Sequence, residues 1–110
     1  MASEFGYRLT ASAARDVDDI VSYLAVECGN PQAAAAFMGQ LVDVLENTCL
    51  FPESGPCVSN EFLPDVGIRK KLVGSYVLYY LVGTEAQLIT VLRVVHGKRN
   101  MEEVLASIYT

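Results

Sequence analysis

The stretch GIRKKLVGSYVLYYLVGTEAQLITVLRVV, residues 67–95, decides the fold because it holds three strand-like segments separated by two short turns. Its middle segment, residues 76–82, is continuously apolar and aromatic, which is typical of a central strand covered on both faces. The flanking segments alternate in part (67–73) or are rich in β-branched residues (87–95). Gly74-Ser75 has the composition of a two-residue hairpin turn. Short turns join antiparallel neighbours, so the stretch predicts a three-stranded meander.

The N-terminal part of the chain predicts one further strand and a helix. FGYRLT, residues 5–10, has the pattern of a short strand. The next segment has apolar residues at helical spacing, and its N-cap is predicted to be Thr10 or Ser12. Three aspartates are expected near the N-terminus of this helix, where the helix dipole favours acids. The apolar stripe is Val17, Ile20, Val21 and Leu24, and the aspartates are Asp16, Asp18 and Asp19.

A second helix follows after a short break. Gly29 fits the left-handed position that ends a helix, and Asn30-Pro31 supplies an N-cap followed by proline at the first helical position. The connection is so short that the two helices are predicted to form an antiparallel hairpin. Gly39 interrupts the second helix, and close contact between the helices is the predicted reason. The apolar stripe of this helix is Phe37, Leu41, Val44 and Leu45.

The remaining segments complete a two-layer α+β domain. Residues 51–66 contain three prolines and a glycine and are predicted to form a loop. NMEEVLASIY, residues 100–109, indicates a short C-terminal helix with Asn100 as its cap. The predicted order is β-α-α-β-β-β, with an antiparallel sheet packed on the helix hairpin. A chain of 110 residues fits a single domain spanning residues 1–110.

Composition excludes several classes of function. Apolar residues make up 52% of the chain and charged residues 19%, as in globular proteins. Three cysteines without a CxxC spacing and a single histidine predict neither a metal site nor a cofactor. Charged residues interrupt the first twenty positions, and no apolar run approaches a membrane span, so we expect a cytoplasmic protein without a membrane partner.

The net charge of −5 conceals an asymmetry between the two halves of the chain. Residues 1–66 carry two basic and ten acidic side chains, a net charge of −8. Residues 67–110 carry six basic and three acidic side chains, a net charge of +3. Such a division can steer an anionic partner toward one side of the molecule.

The ordered set of motifs resembles the RelE/ParE toxin superfamily of bacterial type II toxin–antitoxin systems. YRLTASAARDVDDIVSYLAVECGNPQAAAAF, residues 7–37, resembles its tyrosine-bearing strand and two helices. FPESG (51–55), GIRKKLVGSYVLYYLV (67–82) and LITVLRVVHGKRN (88–100) resemble the segments that follow. The resemblance implies a compact toxin involved in plasmid stabilisation and growth inhibition. It also implies a cognate antitoxin as partner, with DNA contacted only through that antitoxin.

Two activities occur in that superfamily, and the choice between them rests on the residues that this chain carries. RelE-like members cleave messenger RNA on the ribosome, whereas ParE-like members poison DNA gyrase. The nucleases are strongly basic, but this chain has a pI near 4.7. Nucleases of this type often carry a catalytic arginine where this chain has Val77. The chain therefore resembles the ParE-like branch more closely. The RelE-like endonuclease and a non-toxic binding module remain alternatives.

Catalytic candidates are His96, Arg69 and Arg93, since RNA cleavage needs an acid, a base and cationic stabilisation of phosphate. Strand alternation predicts that Arg93 and His96 point to opposite faces unless a bulge intervenes. Glu46 and Glu61 are possible general bases, and Tyr109 lies near the C-terminus without an assigned role. The residues predicted to bind the target or the antitoxin are Arg69, Lys71, Lys98 and Arg99. Tyr76, Tyr79 and Tyr80 are interpreted as packing residues.

Overall fold

The structure is a computed structural model that describes residues 5–58 and 67–108. It contains four strands and three α-helices within those ranges. The strands are β1 (Gly6–Leu9), β2 (Arg69–Val73), β3 (Tyr76–Gly83) and β4 (Leu88–His96). The helices are α1 (Ala11–Ser22), α2 (Pro31–Leu50) and α3 (Met101–Ile108), and a π-helical turn, Tyr23–Glu27, extends α1.

The α+β fold and the three-stranded meander are confirmed. Strands β2, β3 and β4 pair in antiparallel order, and Gly74 takes a positive φ of 60° in the first turn. The order across the sheet is β1-β4-β3-β2, so β1 joins β4 at an edge. That pairing is parallel, which makes the whole sheet mixed.

The N-cap predictions are confirmed for both long helices. The Thr10 hydroxyl accepts a hydrogen bond from the Ala13 N–H at 3.1 Å, and Asn30 Oδ1 accepts one from the Ala33 N–H at 3.0 Å. Gly29 takes a φ of 61°, as expected of the residue that ends the first helical segment.

Two predictions about the helices are wrong. Helix α1 begins at Ala11, so its first turn holds no acid, and Asp16 lies in the middle of the helix. Gly39 does not mark a close contact between helices, because a Cβ atom built there meets nothing within 4 Å.

The main core lies between the sheet and the helix hairpin. Tyr80, Leu78 and Ile89 are fully buried there against Phe37 and Leu41 of α2. A second cluster occupies the other face of the sheet, where Val104 and Leu105 of α3 pack against Tyr79 and Val95. Strand β3 is therefore covered on both faces, as its apolar sequence predicted. Helix α3 adds a partial layer to the predicted sheet and hairpin.

A β-bulge lies where β4 passes the middle of β3. Tyr79 pairs with Arg93, but Tyr80 pairs with Val91, so Leu92 is an extra residue on β4. Paired residues share a face of the sheet. The bulge therefore allows both Val91 and Val94 to face the main core.

Candidate functional site

The predicted cations do not assemble into one site. His96 ends β4, and Lys98 and Arg99 follow it in an exposed turn. Arg69 begins β2 and pairs with Tyr80, whereas His96 pairs with Tyr76 at the opposite end of β3. The structure therefore brings His96, Lys98 and Arg99 together and leaves Arg69 and Lys71 on another strand.

Arg93 is held in a partly buried ion pair with Asp16. Its Nε donates to Asp16 Oδ2 at 2.6 Å and its Nη2 donates to Oδ1 at 3.1 Å, and the two side chains are only 15% and 14% exposed. Hydrogen bonding to Asp16 raises the pKa of Arg93, and partial burial opposes that shift. Arg93 Nη1 also donates to Ser107 Oγ of α3 at 2.6 Å. These contacts link α1, β4 and α3 and leave the guanidinium few donors for a phosphate.

Arg69 holds the loop after α2 in place. Its Nη1 donates to the carbonyl oxygens of Glu53 at 3.1 Å and Gly55 at 2.6 Å. The buried hydroxyl of Tyr80 donates to the Pro52 carbonyl at 2.9 Å and accepts from the Gly55 N–H at 3.1 Å. These four bonds explain how the loop formed by the FPESG motif is held in place. The motif needs glycine at position 55 because a Cβ atom there would lie 2.3 Å from the Lys70 carbonyl oxygen.

Lys71 contacts α2 rather than the basic turn. Its Nζ donates to Asn47 Oδ1 at 3.1 Å on an exposed part of the surface. Lys98 and Arg99 are exposed, and the backbone of their turn is fixed by the Arg99 N–H, which donates to the His96 carbonyl at 3.0 Å.

His96 has a defined hydrogen-bonding arrangement. Its Nδ1 accepts the Lys98 N–H at 3.1 Å, so the neutral ring carries its proton on Nε2. The ring also stands edge-on to Tyr76, with the two centroids 5.4 Å apart. In this arrangement His96 offers a donor, not a free basic nitrogen, which makes it a poor general base.

A groove of about 530 Å³ lies beside His96 between α1 and the end of β4. Arg99 and Asp19 contribute opposite charges to it, and Tyr23, which is 52% exposed, stands at its wall. A hydrogen bond with Cys28 is the main cause that raises the pKa of Tyr23 above its ordinary value. The groove can therefore donate hydrogen bonds to a ligand from Arg99, Tyr23 and His96.

The sheet position that carries a catalytic arginine in many RelE-like nucleases is apolar here. Val77 pairs with Leu72 and Val95 and packs against the cluster beneath α3. Glu46 lines a different groove, with Phe5 and Leu50. Glu61 and Tyr109 lie outside the described residues.

The three β3 tyrosines are mainly packing residues. Tyr79 is 4% exposed and Tyr80 is fully buried, and burial raises the pKa of both phenols. Tyr76 is half-buried between Phe37 and His96. None of the three presents an open ring face of the kind that stacks on a nucleic-acid base.

Residues 5–58 and 67–108 contain no group of three or more His, Cys, Asp or Glu side chains placed to hold a metal ion. No disulfide joins Cys28, Cys49 and Cys57. Among the helices described, none is long and apolar enough to cross a membrane.

Sequence reasoning missed Asp16 as the partner of Arg93. The two residues are 77 positions apart, and Asp16 sits among other aspartates that remain exposed. The available signal was its helical position, one residue before the buried Val17.

Comparisons with known proteins agree with this geometry. Residues 7–101 match the family described as the ParE toxin of the type II toxin–antitoxin system, parDE. No curated protein matches the chain.

Two solved structures share its fold. A chain of the toxin–antitoxin complex RelBE2 from Mycobacterium tuberculosis is 23% identical, with a TM-score of 0.61, and the match covers 86% of this chain and 99% of that one. A chain of the chromosomal ParDE system from P. aeruginosa is 21% identical, with a TM-score of 0.64, and the match covers 84% and 96%.

Proposed function

The chain belongs to the ParE toxins of type II toxin–antitoxin systems, and on that premise we propose that it stops bacterial growth by binding DNA gyrase in the cytoplasm. A cognate antitoxin neutralises it, and the pair stabilises the plasmid or chromosomal segment that encodes it. Both similar structures come from toxin–antitoxin systems, and one of them is a ParDE system.

One observation supports binding over RNA cleavage: the three catalytic candidates, Arg93, Arg69 and His96, have structural partners. Arg93 is paired with Asp16, Arg69 is bonded to loop carbonyls, and the Nδ1 atom of His96 accepts a backbone N–H. A ribonuclease needs a free base and cations converging on one phosphate. Among the described residues, His96, Lys98 and Arg99 lie together, and no second cluster of cations lies beside this group.

RelE-like cleavage of messenger RNA on the ribosome is the second candidate. The grouping of His96 and Arg99 at one groove favours it. In that mechanism His96 would have to exchange a proton, and loss of its ring would abolish activity.

Matched substitutions at His96 separate the two candidates. Glutamine can replace the Nε2–H donor but cannot exchange a proton, whereas alanine removes both functions. Under controlled expression in a bacterial host, a binding mechanism predicts growth arrest with intact messages for wild type and His96→Gln. Arrest with codon-dependent message cleavage that both variants abolish would establish the nuclease. No arrest from the wild type, with a stable antitoxin complex, would indicate a non-toxic binding module.

A further inference from the structure

Strand β2 forms one edge of the sheet, and only the start of that edge is covered. Cys57 forms an antiparallel bridge with Arg69, and the Lys70 N–H donates to the Pro56 carbonyl at 3.1 Å. Beyond Lys70, no strand of the described residues pairs with this side of β2. Because backbone groups alternate along a strand, the N–H and carbonyl of Leu72 point to the same outer side as those of Lys70.

A groove of about 400 Å³ runs beside this edge, and we call it the β2-edge groove. Its lining comes from β2 and from the loop after α2, and consists of Ser54, Gly55, Pro56, Lys70, Lys71 and Leu72. Leu72 is 70% exposed. Single exposed apolar side chains are ordinary, but this one lines a concave surface at a strand edge without a neighbour.

Hydrogen bonds fix the shape of the β2-edge groove on both sides. On the loop side, the Gly55 N–H donates to the Tyr80 hydroxyl at 3.1 Å, and the Gly55 carbonyl accepts from Arg69 at 2.6 Å. On the strand side, Lys71 Nζ donates to Asn47 Oδ1 at 3.1 Å. A surface that is already ordered loses little conformational entropy when a partner binds, which favours affinity.

The lining residues indicate which kind of partner fits this groove. Its charged side chains are Lys70 and Lys71, both basic, so an acidic partner is complementary. A second copy of the chain is disfavoured, because pairing two β2 edges would bring the lysines of both copies together. None of the lining residues is aromatic, so the groove lacks the rings on which nucleic-acid bases stack. An acidic protein segment therefore fits best.

The exposed leucine lies at the same end of the sheet as the basic turn after β4. Leu72 pairs with Val77, and Val77 pairs with Val95, two residues before Gly97. The Gly97 N–H donates to the Ser75 carbonyl at 2.9 Å, which joins the basic turn to the turn between β2 and β3. A partner that contacts Leu72 is therefore also close to the basic turn.

We propose that the β2-edge groove binds an acidic segment of the target protein, with an apolar side chain against Leu72 and carboxylates beside Lys70 and Lys71. The backbone of the segment pairs with the open edge at Leu72, as partner strands do at other sheet edges. The inference rests on the proposed function, which identifies the target as DNA gyrase. It adds the surface that gyrase contacts and the chemistry of the gyrase segment that binds there.

The test measures the affinity of the purified full chain for purified gyrase by surface plasmon resonance. Leu72→Asp should weaken binding by about 30-fold, as expected when a central apolar anchor is lost. Leu72→Thr keeps a residue suited to a strand and should weaken binding by about tenfold. Lys70→Glu should weaken it by about tenfold and reduce its salt dependence.

Matched controls make the same kinds of change elsewhere on the surface. Val26 is 77% exposed after α1, and Arg15 is exposed on α1. Val26→Asp and Arg15→Glu should therefore bind gyrase like wild type. Circular dichroism melting shows whether each variant is folded, and Leu72→Thr replaces Leu72→Asp if the aspartate impairs folding.

The outcomes separate the inference from the proposed function. Absence of wild-type binding to gyrase overturns both. Wild-type binding that the Leu72 and Lys70 substitutions leave unchanged overturns the inference alone. Three other occupants would also overturn it: an antitoxin that Leu72→Asp releases while gyrase stays bound, a dimer of the free chain that Leu72→Asp disrupts in sedimentation, or a DNA duplex that the chain binds alone and that Lys70→Glu releases.

Discussion

Three hydrogen bonds converge on the carboxylate of Asp16. Its carboxylate accepts two hydrogen bonds from Arg93 and one from the Val94 N–H at 3.0 Å. Removing one member of a buried pair leaves the other charge uncompensated, which costs more than the pair itself contributes. A single side chain in α1 therefore holds both the strand and the guanidinium in place.

We predict that Asp16→Ala lowers the free energy of unfolding by about 3 kcal/mol, because Arg93 is then left desolvated without its counter-charge. Asp18→Ala on the exposed side of the same helix should change it by less than about 0.5 kcal/mol. Urea unfolding followed by circular dichroism measures both. Equal effects of the two substitutions would mean that the ion pair contributes nothing specific.

Two glycines should respond in opposite directions to alanine. At Gly55 a Cβ would lie 2.3 Å from the Lys70 carbonyl oxygen and 2.7 Å from the Tyr80 hydroxyl, whereas at Gly39 it meets nothing within 4 Å. Gly55→Ala should therefore lower the free energy of unfolding by about 2 kcal/mol. Gly39→Ala should raise it by about 0.5–1 kcal/mol, since alanine is the better helix former. Thermal melting of both proteins tests this, and a stabilising Gly55→Ala would refute the explanation of the FPESG motif.

At the scale of elements, Thr10 joins a strand to a helix. Its hydroxyl caps α1 by accepting from the Ala13 N–H, and it donates to the Leu92 carbonyl of β4 at 3.1 Å. The Leu92 carbonyl belongs to the bulged residue of β4. The cap therefore also satisfies a backbone group at an irregular point in the sheet.

Replacing Thr10 with alanine should lower the free energy of unfolding by about 1–2 kcal/mol, through loss of the N-cap and of the bond to Leu92. Thr10→Ser retains the hydroxyl and should recover most of that loss. Ser12→Ala, the other N-cap predicted from the sequence, should have almost no effect. Guanidinium unfolding curves of the three variants measure these changes. A larger loss of unfolding free energy for Ser12→Ala than for Thr10→Ala would contradict the assignment of Thr10 as the N-cap.

The elements themselves follow from local sequence signals. The apolar spacing of α1 and α2, the caps at Thr10 and Asn30, and the turn at Gly74 each depend on a few neighbouring residues. The parallel pairing of β1 with β4 and the extra residue at Leu92 do not, because they depend on how distant strands align. The sequence also does not reveal the π-helical turn after α1.

The candidate site was predictable in composition but not in arrangement. The charge asymmetry and the sequence RVVHGKRN, residues 93–100, pointed to His96, Lys98 and Arg99, which the structure places together. Sequence alone could not show that Arg93 is paired with Asp16 or that Arg69 is bonded to a loop, since both contacts join separate elements. The roles of these residues in binding stay predictions.

At the scale of the whole molecule, two different grooves lie at opposite ends of β3. The groove beside Tyr76 and His96 is lined by Arg99, Asp16 and Asp19, whereas a groove beside Val82 is lined by Glu53 and by apolar residues at the end of α2. Two separate surfaces allow a toxin to bind an antitoxin on one and its target on the other. Under the proposed function the protein acts by binding, and we predict that His96 contributes a hydrogen bond rather than a proton transfer.

A supercoiling assay with purified components tests that claim most directly. The chain is added to DNA gyrase, ATP and relaxed plasmid, and DNA topology is followed on gels, with translating ribosomes and messenger RNA in a parallel reaction. We predict that wild type and His96→Gln both block supercoiling or trap cleaved DNA, and that messages remain intact. Unimpeded gyrase together with cleaved ribosome-bound messages would contradict it.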